Sequence, residues 1–216
     1  MVRLIRLQAD GEIAAPQVYL NDWCLRAPTA FDQMMIARIA SQELDHYRKF
    51  ANVLSDIAID ISDLMSVTPE QRKVSALNHR IESWPDLAAF YFLIDRVGAF
   101  QGEELTTCSY GPVARVMPKI MQEELTHVAF GALHVKKLAD DPRRHEEMQA
   151  AIDRWFPRGL DMFGRSHSAR AARYVHWGLK RRSNEALRDA WLAEVSELLT
   201  EMGLHVPSPD AMREFP

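Results

Sequence analysis

Apolar residues recur at spacings of three and four along almost all of this 216-residue chain, and prolines punctuate the runs. That spacing puts apolar side chains on one face of an α-helix, whereas a strand needs alternation. No turn dipeptide sits between alternating runs, so strand signals are nearly missing. Proline is tolerated in the first helical turn, where its missing N–H has no partner to lose. Pro28 accordingly opens a helix to about residue 55, Thr68-Pro69-Glu70 opens a shorter one, and Trp84-Pro85-Asp86 opens a long one to about residue 109. Gly111-Pro112 breaks that run, and a further long helix reaches about residue 139. Asp141-Pro142 starts a helix to about residue 163, and two more follow at about 168–180 and 183–203. The first segment, about 2–22, contains Pro16, and a helix there needs a kink because the ring removes an i to i−4 bond.

These elements predict an all-α fold, a four-helix bundle with additional C-terminal helices. A single domain is expected over 1–216, with the core bundle at about 2–140, the C-terminal helices at about 142–203 and an irregular tail at 204–216. A hydrophobic content of 47% suits one continuous core. The net charge of −4 and the scattered basic residues give no nucleic-acid footprint. Lys180-Arg181-Arg182, beside Glu185, reads as a solvated helix end. Cys24 and Cys108 are too far apart for a zinc signature or a disulfide framework. The start, Met1 to Arg6, lacks the apolar core of a signal peptide, and no run of about 18 apolar residues suggests a membrane span. A reducing cytoplasm is the expected location.

Two motifs carry chemistry: Glu43-Leu44-Asp45-His46 and Glu124-Leu125-Thr126-His127. Residues i and i+3 share a helix face, so each pair can offer a carboxylate and an imidazole to one metal ion. Both lie on apolar stripes: Ile36, Ile39, Ala40, Phe50 and Leu54 around Glu43, and Ile120, Met121, Val128 and Leu138 around Glu124. A buried carboxylate is costly unless paired, and a metal ion satisfies it. The bland alternative is a pair of core histidines satisfied by neighbouring glutamates.

A two-metal bundle needs one more carboxylate from each remaining helix. Glu124 lies 13 or 14 residues after the turn at Tyr110-Gly111, so a partner at the same height lies near position 95 or 96, and Asp95 fits. Glu103 and Glu104 lie nearer the turn, roughly 12 Å away along the axis, and read as surface or second-layer charges. Glu12 precedes Glu43 by 31 residues, much as Asp95 precedes Glu124 by 29. Asp10 and Asp22 compete with Glu12, but Asp10 should face elsewhere. The metal set is therefore Glu12, Glu43, His46, Asp95, Glu124 and His127, with Glu43 and Glu124 as the bridging, catalytic pair. Four carboxylates and two imidazoles suit two iron ions, or manganese. Glu123 is placed to accept a hydrogen bond from a histidine. Gly98, Ala99 and Gly102 either leave room for O₂ or substrate or allow close packing. His134 either lines a channel or packs, and Met34, Met35 and Met117 to Met121 read as core.

The motifs extend to a resemblance. Leu25-Arg26-Ala27-Pro28-Thr29, Glu43…His46, Cys108-Ser109-Tyr110-Gly111-Pro112-Val113-Ala114-Arg115, Glu123-Glu124-Leu125-Thr126-His127, Met162-Phe163-Gly164, Leu179 to Arg188 and Glu201 to Asp210 occur in order along the chain. In these the chain resembles the catalytic A subunits of phenylacetyl-CoA 1,2-epoxidases, in the phenylacetate-catabolism branch of ferritin-like proteins. The resemblance implies a ferritin-like fold, a di-iron site at the six positions above, aromatic acyl-CoA substrates, O₂ activation and electrons from a separate reductase. Two positions depart from the family pattern. Gln42 stands where an acidic residue precedes the first metal glutamate, and Ile39 stands where a lysine precedes that glutamate by four. Family members also continue past the segment matching Val206 to Asp210, so part of a substrate or partner surface is expected to be missing here.

The expected function is a di-iron monooxygenase-type oxidoreductase acting on an organic substrate such as an aromatic acyl-CoA. The alternatives are a non-catalytic scaffold subunit of such a complex and ferritin-type iron oxidation. The expected partners are a reductase, a second copy of the chain and a scaffold subunit, in a homodimer or hetero-oligomer, with no nucleic acid and no membrane.

Overall fold

The computed structural model describes residues 1–72 and 74–210. Eight α-helices are present among the described residues: α1 (Val2–Trp23), α2 (Ala30–Ser55), α3 (Trp84–Ala89), α4 (Asp95–Leu105), α5 (Gly111–Ala139), α6 (His145–Met162), α7 (Ala169–His176) and α8 (Asn184–Glu201). A π-helical segment, Phe90–Ile94, joins α3 to α4 into one rod. The fold is all-α, with no strand among the described residues. Residues 211–216 of the expected tail lie outside the described residues.

Capping residues set several of the starts. Thr29 accepts from the Asp32 amide at 3.1 Å to open α2, and Ser83 accepts from the Asp86 amide at 3.1 Å to open α3. Ser168 and Ser183 do the same for α7 and α8. Pro85 and Pro112 sit in first turns, as the sequence predicts. Pro142 does not: it lies in a turn, and α6 begins three residues later at His145. The helix expected at Thr68-Pro69-Glu70 is only a three-residue 3₁₀ turn, Pro69–Gln71. Its successor Arg72 is buried, pairs with Asp10 and donates to the Leu64 and Val67 carbonyls, which pins an irregular loop against α1. α1 runs through Pro16 without a break in the assigned helix. The carbonyl that the proline leaves without its helical donor is that of Glu12.

Four rods form the bundle: α1 pairs with α2, the α3–π–α4 rod pairs with α5, and α2 meets α5. α6 packs on α3, the π segment and α5, while α8 covers α4. The third rod is consequently enclosed, and every residue from Trp84 to Val97 is buried. The core falls into two apolar bodies. One contains Ile36, Ile39 and Phe130 with Trp155 and Trp191, and the other contains Ile13, Phe50 and Ile120 with Leu105. On α2 the change occurs between Ala40 and Tyr47, and on α5 between Ile120 and Phe130. Both Glu-x-x-His motifs occupy that interval. Among the described residues no helix is long and apolar enough to cross a membrane.

Candidate metal centre

Polar groups interrupt the core at one height. Glu43, His46, Asp95, Glu124 and His127 are buried, and Glu12 is nearly so, its side chain 14% exposed. Donor atoms of Glu12, Glu43, His46 and Glu124 lie within 4.8 Å of one another, and so do those of Glu43, Asp95 and His127. All six sequence-predicted residues are thus brought together, in two groups that share Glu43. Each helical rod delivers its share. α2 and α5 each supply a glutamate and a histidine one turn apart, α1 supplies Glu12, and Asp95 opens α4.

The π segment positions the aspartate. The Asp95 amide bonds the Phe90 carbonyl, five residues back, which inserts one extra residue into the turn. Apolar periodicity predicts regular α-helix through this stretch. The run Phe90 to Ile94 is buried on every side and so has no stripe in which the irregularity could show.

Both histidines turn Nδ1 toward the carboxylates. His46 Nδ1 lies 3.1 Å from Glu12 Oε2 and 3.1 Å from Glu124 Oε1, and His127 Nδ1 lies 3.1 Å from Glu43 Oε1 and 3.7 Å from Glu124 Oε1. The rings stack with centroids 6.1 Å apart. Each Nε2 faces outward, to Glu123 at 2.9 Å for His46 and to Gln42 at 3.1 Å for His127. Glu123 is the histidine partner that the sequence suggested.

Four carboxyl groups in this volume repel one another. Burial, followed by repulsion from Glu124 and Glu12, holds the carboxyls of Glu43 and Asp95 well above the usual range. Burial lifts Glu124 from 4.5 to about 7. For His46 burial works against the charge, but hydrogen bonds with Glu12 and Glu124 outweigh it and raise the imidazole to about 10. Burial, then the charge on His46, lowers His127 to about 4. Asp95 Oδ2 is buried without a hydrogen-bond partner, and Glu124 Oε1 and His127 Nδ1 have only the poorly aligned contacts to His46 and Glu43 given above. Buried polar atoms normally have partners. Unsatisfied oxygens and an imidazole nitrogen facing one space fit a cation, and this buried Glu/His cluster could hold one.

The carboxylates of Glu12, Glu43, Asp95 and Glu124 also line a cavity of about 750 Å³. Gly98 and Gly102 both line it, with different roles. A Cβ on Gly98 would meet only Glu124 Oε2, at 3.8 Å, so this glycine leaves space. A Cβ on Gly102 would lie 2.7 Å from Met121 Sδ, so this one permits packing.

The profile of the family described as Phenylacetic acid catabolic protein matches residues 1–215. The chain belongs to that family. It is 29% identical over 216 residues to the A subunit of 1,2-phenylacetyl-CoA epoxidase of Escherichia coli (strain K12), across 97% of this chain and 69% of the relative. A ferritin-like bundle in the phenylacetate-catabolism family agrees with the helical architecture above.

Other candidates sort themselves by partner. Asp10 is held by Arg72, and Asp22 lies 3.5 Å from Arg80, so neither competes with Glu12. His134 packs edge-on against Trp84 and Phe130, 3.0 Å from Asp32, and lines no part of the cavity. Met34 is 54% exposed rather than core, while Met117 is buried. Ile39 is buried in the apolar body beside the centre. Lys180-Arg181-Arg182 is not a simple solvated helix end: Glu104, fully buried, accepts from the Arg181 and Arg182 amides at 2.6 and 2.7 Å and from Arg182 Nε at 2.8 Å.

Proposed function

We propose that this chain is a di-iron oxygenase that oxidises an organic substrate with O₂, the substrate being an aromatic acyl-CoA like that in the relative's name. In this reading Glu12, Glu43, His46 and Glu124 would hold one ion, and Glu43, Asp95 and His127, with Glu124 beside them, would hold the other. Glu43 and Glu124 are shared. The observation that carries the reading is the convergence of six buried or nearly buried donors, with Asp95 Oδ2 left without a partner. A set of carboxylates and imidazoles without thiolate suits iron or manganese, and four carboxylate charges balance two divalent ions. Bound iron would supply redox electrons and open positions for O₂.

The chain's own residues provide the rest. The imidazoles sit behind the carboxylates, and their outward hydrogen bonds hold each ring in orientation. The cavity wall beside Glu124 is kept open by Gly98 and includes the apolar Phe90, Ile94 and Ile120. Arg3, Arg170 and Lys180 also line it and complement the phosphates of a coenzyme A thioester. In the overall reaction one oxygen atom enters the substrate and the other leaves as water. That balance takes two electrons from a separate reductase and two protons from solvent. Other subunits are expected as well, since the relative is named as one subunit.

The test is anaerobic loading of the purified full-length chain with Fe(II), elemental analysis, and O₂ uptake with reductant in the presence and absence of phenylacetyl-CoA. Two irons per chain and substrate-dependent O₂ consumption are expected. A chain that copurifies with a partner and takes up no iron would instead be a scaffold.

A further inference from the structure

The centre has an approximate twofold pattern, broken at one side chain. Each histidine directs Nε2 to the residue just before the shared glutamate of the opposite motif. Glu123 precedes Glu124 and lies 2.9 Å from His46; Gln42 precedes Glu43 and lies 3.1 Å from His127. A carboxylate only accepts hydrogen bonds, so Glu123 keeps one proton on His46 Nε2, and the Nδ1 side facing Glu12 and Glu124 is the one a cation would take. An amide presents an oxygen or, turned over, an NH₂ group, so Gln42 is compatible with either tautomer of His127. Lys49 and Lys119 each lie 3.7 Å from Glu123, whereas Gln42 is a neutral amide. A hydrogen bond to an ionised acceptor is about twice as strong as a neutral one and makes the imidazole a better donor.

We propose that Gln42 makes the two cation positions unequal, so that the Glu12–His46 position fills first and the Asp95–His127 position fills last. Gln42 acts through His127 and is a positioning residue that sets the gap between the two affinities. The inference rests on the two-metal reading above.

The test titrates metal-free full-length protein anaerobically with Co(II), following the visible absorption of bound cobalt and the ions bound per chain. The wild-type chain is expected to fill in two steps, with affinities about 10–100-fold apart. Gln42→Glu is expected to tighten the second step and narrow the gap by about 10-fold or more, leaving the first nearly unchanged. Glu123→Gln is expected to weaken the first step by a similar factor. An unchanged first step shows that Gln42→Glu is folded; if that variant loses its helical circular dichroism, Glu123→Gln decides. Coincident steps in the wild type, or a gap that neither variant moves, would overturn the proposal while leaving a two-metal centre intact. Failure to bind cobalt at all would overturn the metal-centre reading itself, and this proposal with it.

Discussion

Gly131 of α5 faces the backbone of Phe92 so closely that a Cβ at position 131 would lie 2.3 Å from the Phe92 amide nitrogen and 2.6 Å from the Tyr91 carbonyl carbon. Backbone cannot rotate away as a side chain can. Gly131 therefore lets α5 press directly on the π segment, and that segment ends where Asp95 begins. Gly131→Ala is expected to cost about 1–3 kcal/mol, as overpacking does. It should also displace Asp95 and lower the metal content below that of the wild type. Chemical denaturation and elemental analysis of the same preparation check both effects. A variant with normal stability and full metal would show that the contact is not tight.

The heights of the six donors were legible because the counting crossed suitable backbone. From the turn at Tyr110-Gly111 back to Asp95, most of the chain is regular α-helix, α4, and the π segment lies on the far side of Asp95. On the other hairpin, α1 continues through Pro16 as far as Trp23, so Glu12 keeps its place in the count. What periodicity could not show were partners distant in sequence. Glu104 is buried because Arg181 and Arg182 return to it from 77 and 78 residues away. Gln42 meets His127 across 85 residues, and no local pattern announces that pairing. The π segment escaped for a different reason: a rod buried all round has no polar face from which to read a change of phase.

Cation uptake should release protons. Glu124, lifted to about 7, and Glu43 and Asp95, raised well above the usual carboxyl range, retain protons in the metal-free protein, and His46 at about 10 carries one too. Ligands must shed them to bind. Affinity is expected to fall steeply as pH drops from about 8 to 6, measured by Co(II) titration with proton release followed in weak buffer. The metal-free chain should show the opposite trend in stability. Carboxyls with folded values raised above 4.5 contribute stability below that value, and lose it as pH rises through the folded value, about 7 for Glu124. Denaturation of chelator-treated protein across pH 4–8 checks the sign.

Glu104 works in the other direction. It is fully buried, and although burial opposes its charge, the hydrogen bonds from Arg182 and Arg181 hold its carboxyl below the usual value. A depressed carboxylate contributes stability above its ordinary value and loses it as pH falls through the lowered one. Glu104→Ala would leave the Arg181 and Arg182 amides without this acceptor, and both guanidinium groups can still reach water. The expected cost is about 1–3 kcal/mol, with metal content unchanged because Glu104 lies outside the donor set. A denaturant midpoint that does not shift would show that solvent replaces the carboxylate.

Gly98 lets the cavity and the candidate metal centre be tested apart. Its added Cβ meets nothing closer than Glu124 Oε2 at 3.8 Å, so Gly98→Ala is tolerated sterically. Alanine should raise stability by about 0.5–1 kcal/mol through helix propensity. A longer side chain at the same position projects into the 750 Å³ space beside the carboxylates. Gly98→Leu is therefore expected to retain two metals per chain while acyl-CoA-dependent O₂ consumption drops at least about 10-fold, the scale on which a filled pocket of this kind loses affinity. Substrate-free O₂ uptake should persist, since the leucine blocks the substrate rather than the donors. If acyl-CoA stimulation survived with an unchanged KM, the substrate would have to reach the centre from another side, and the cavity would lose its assigned role.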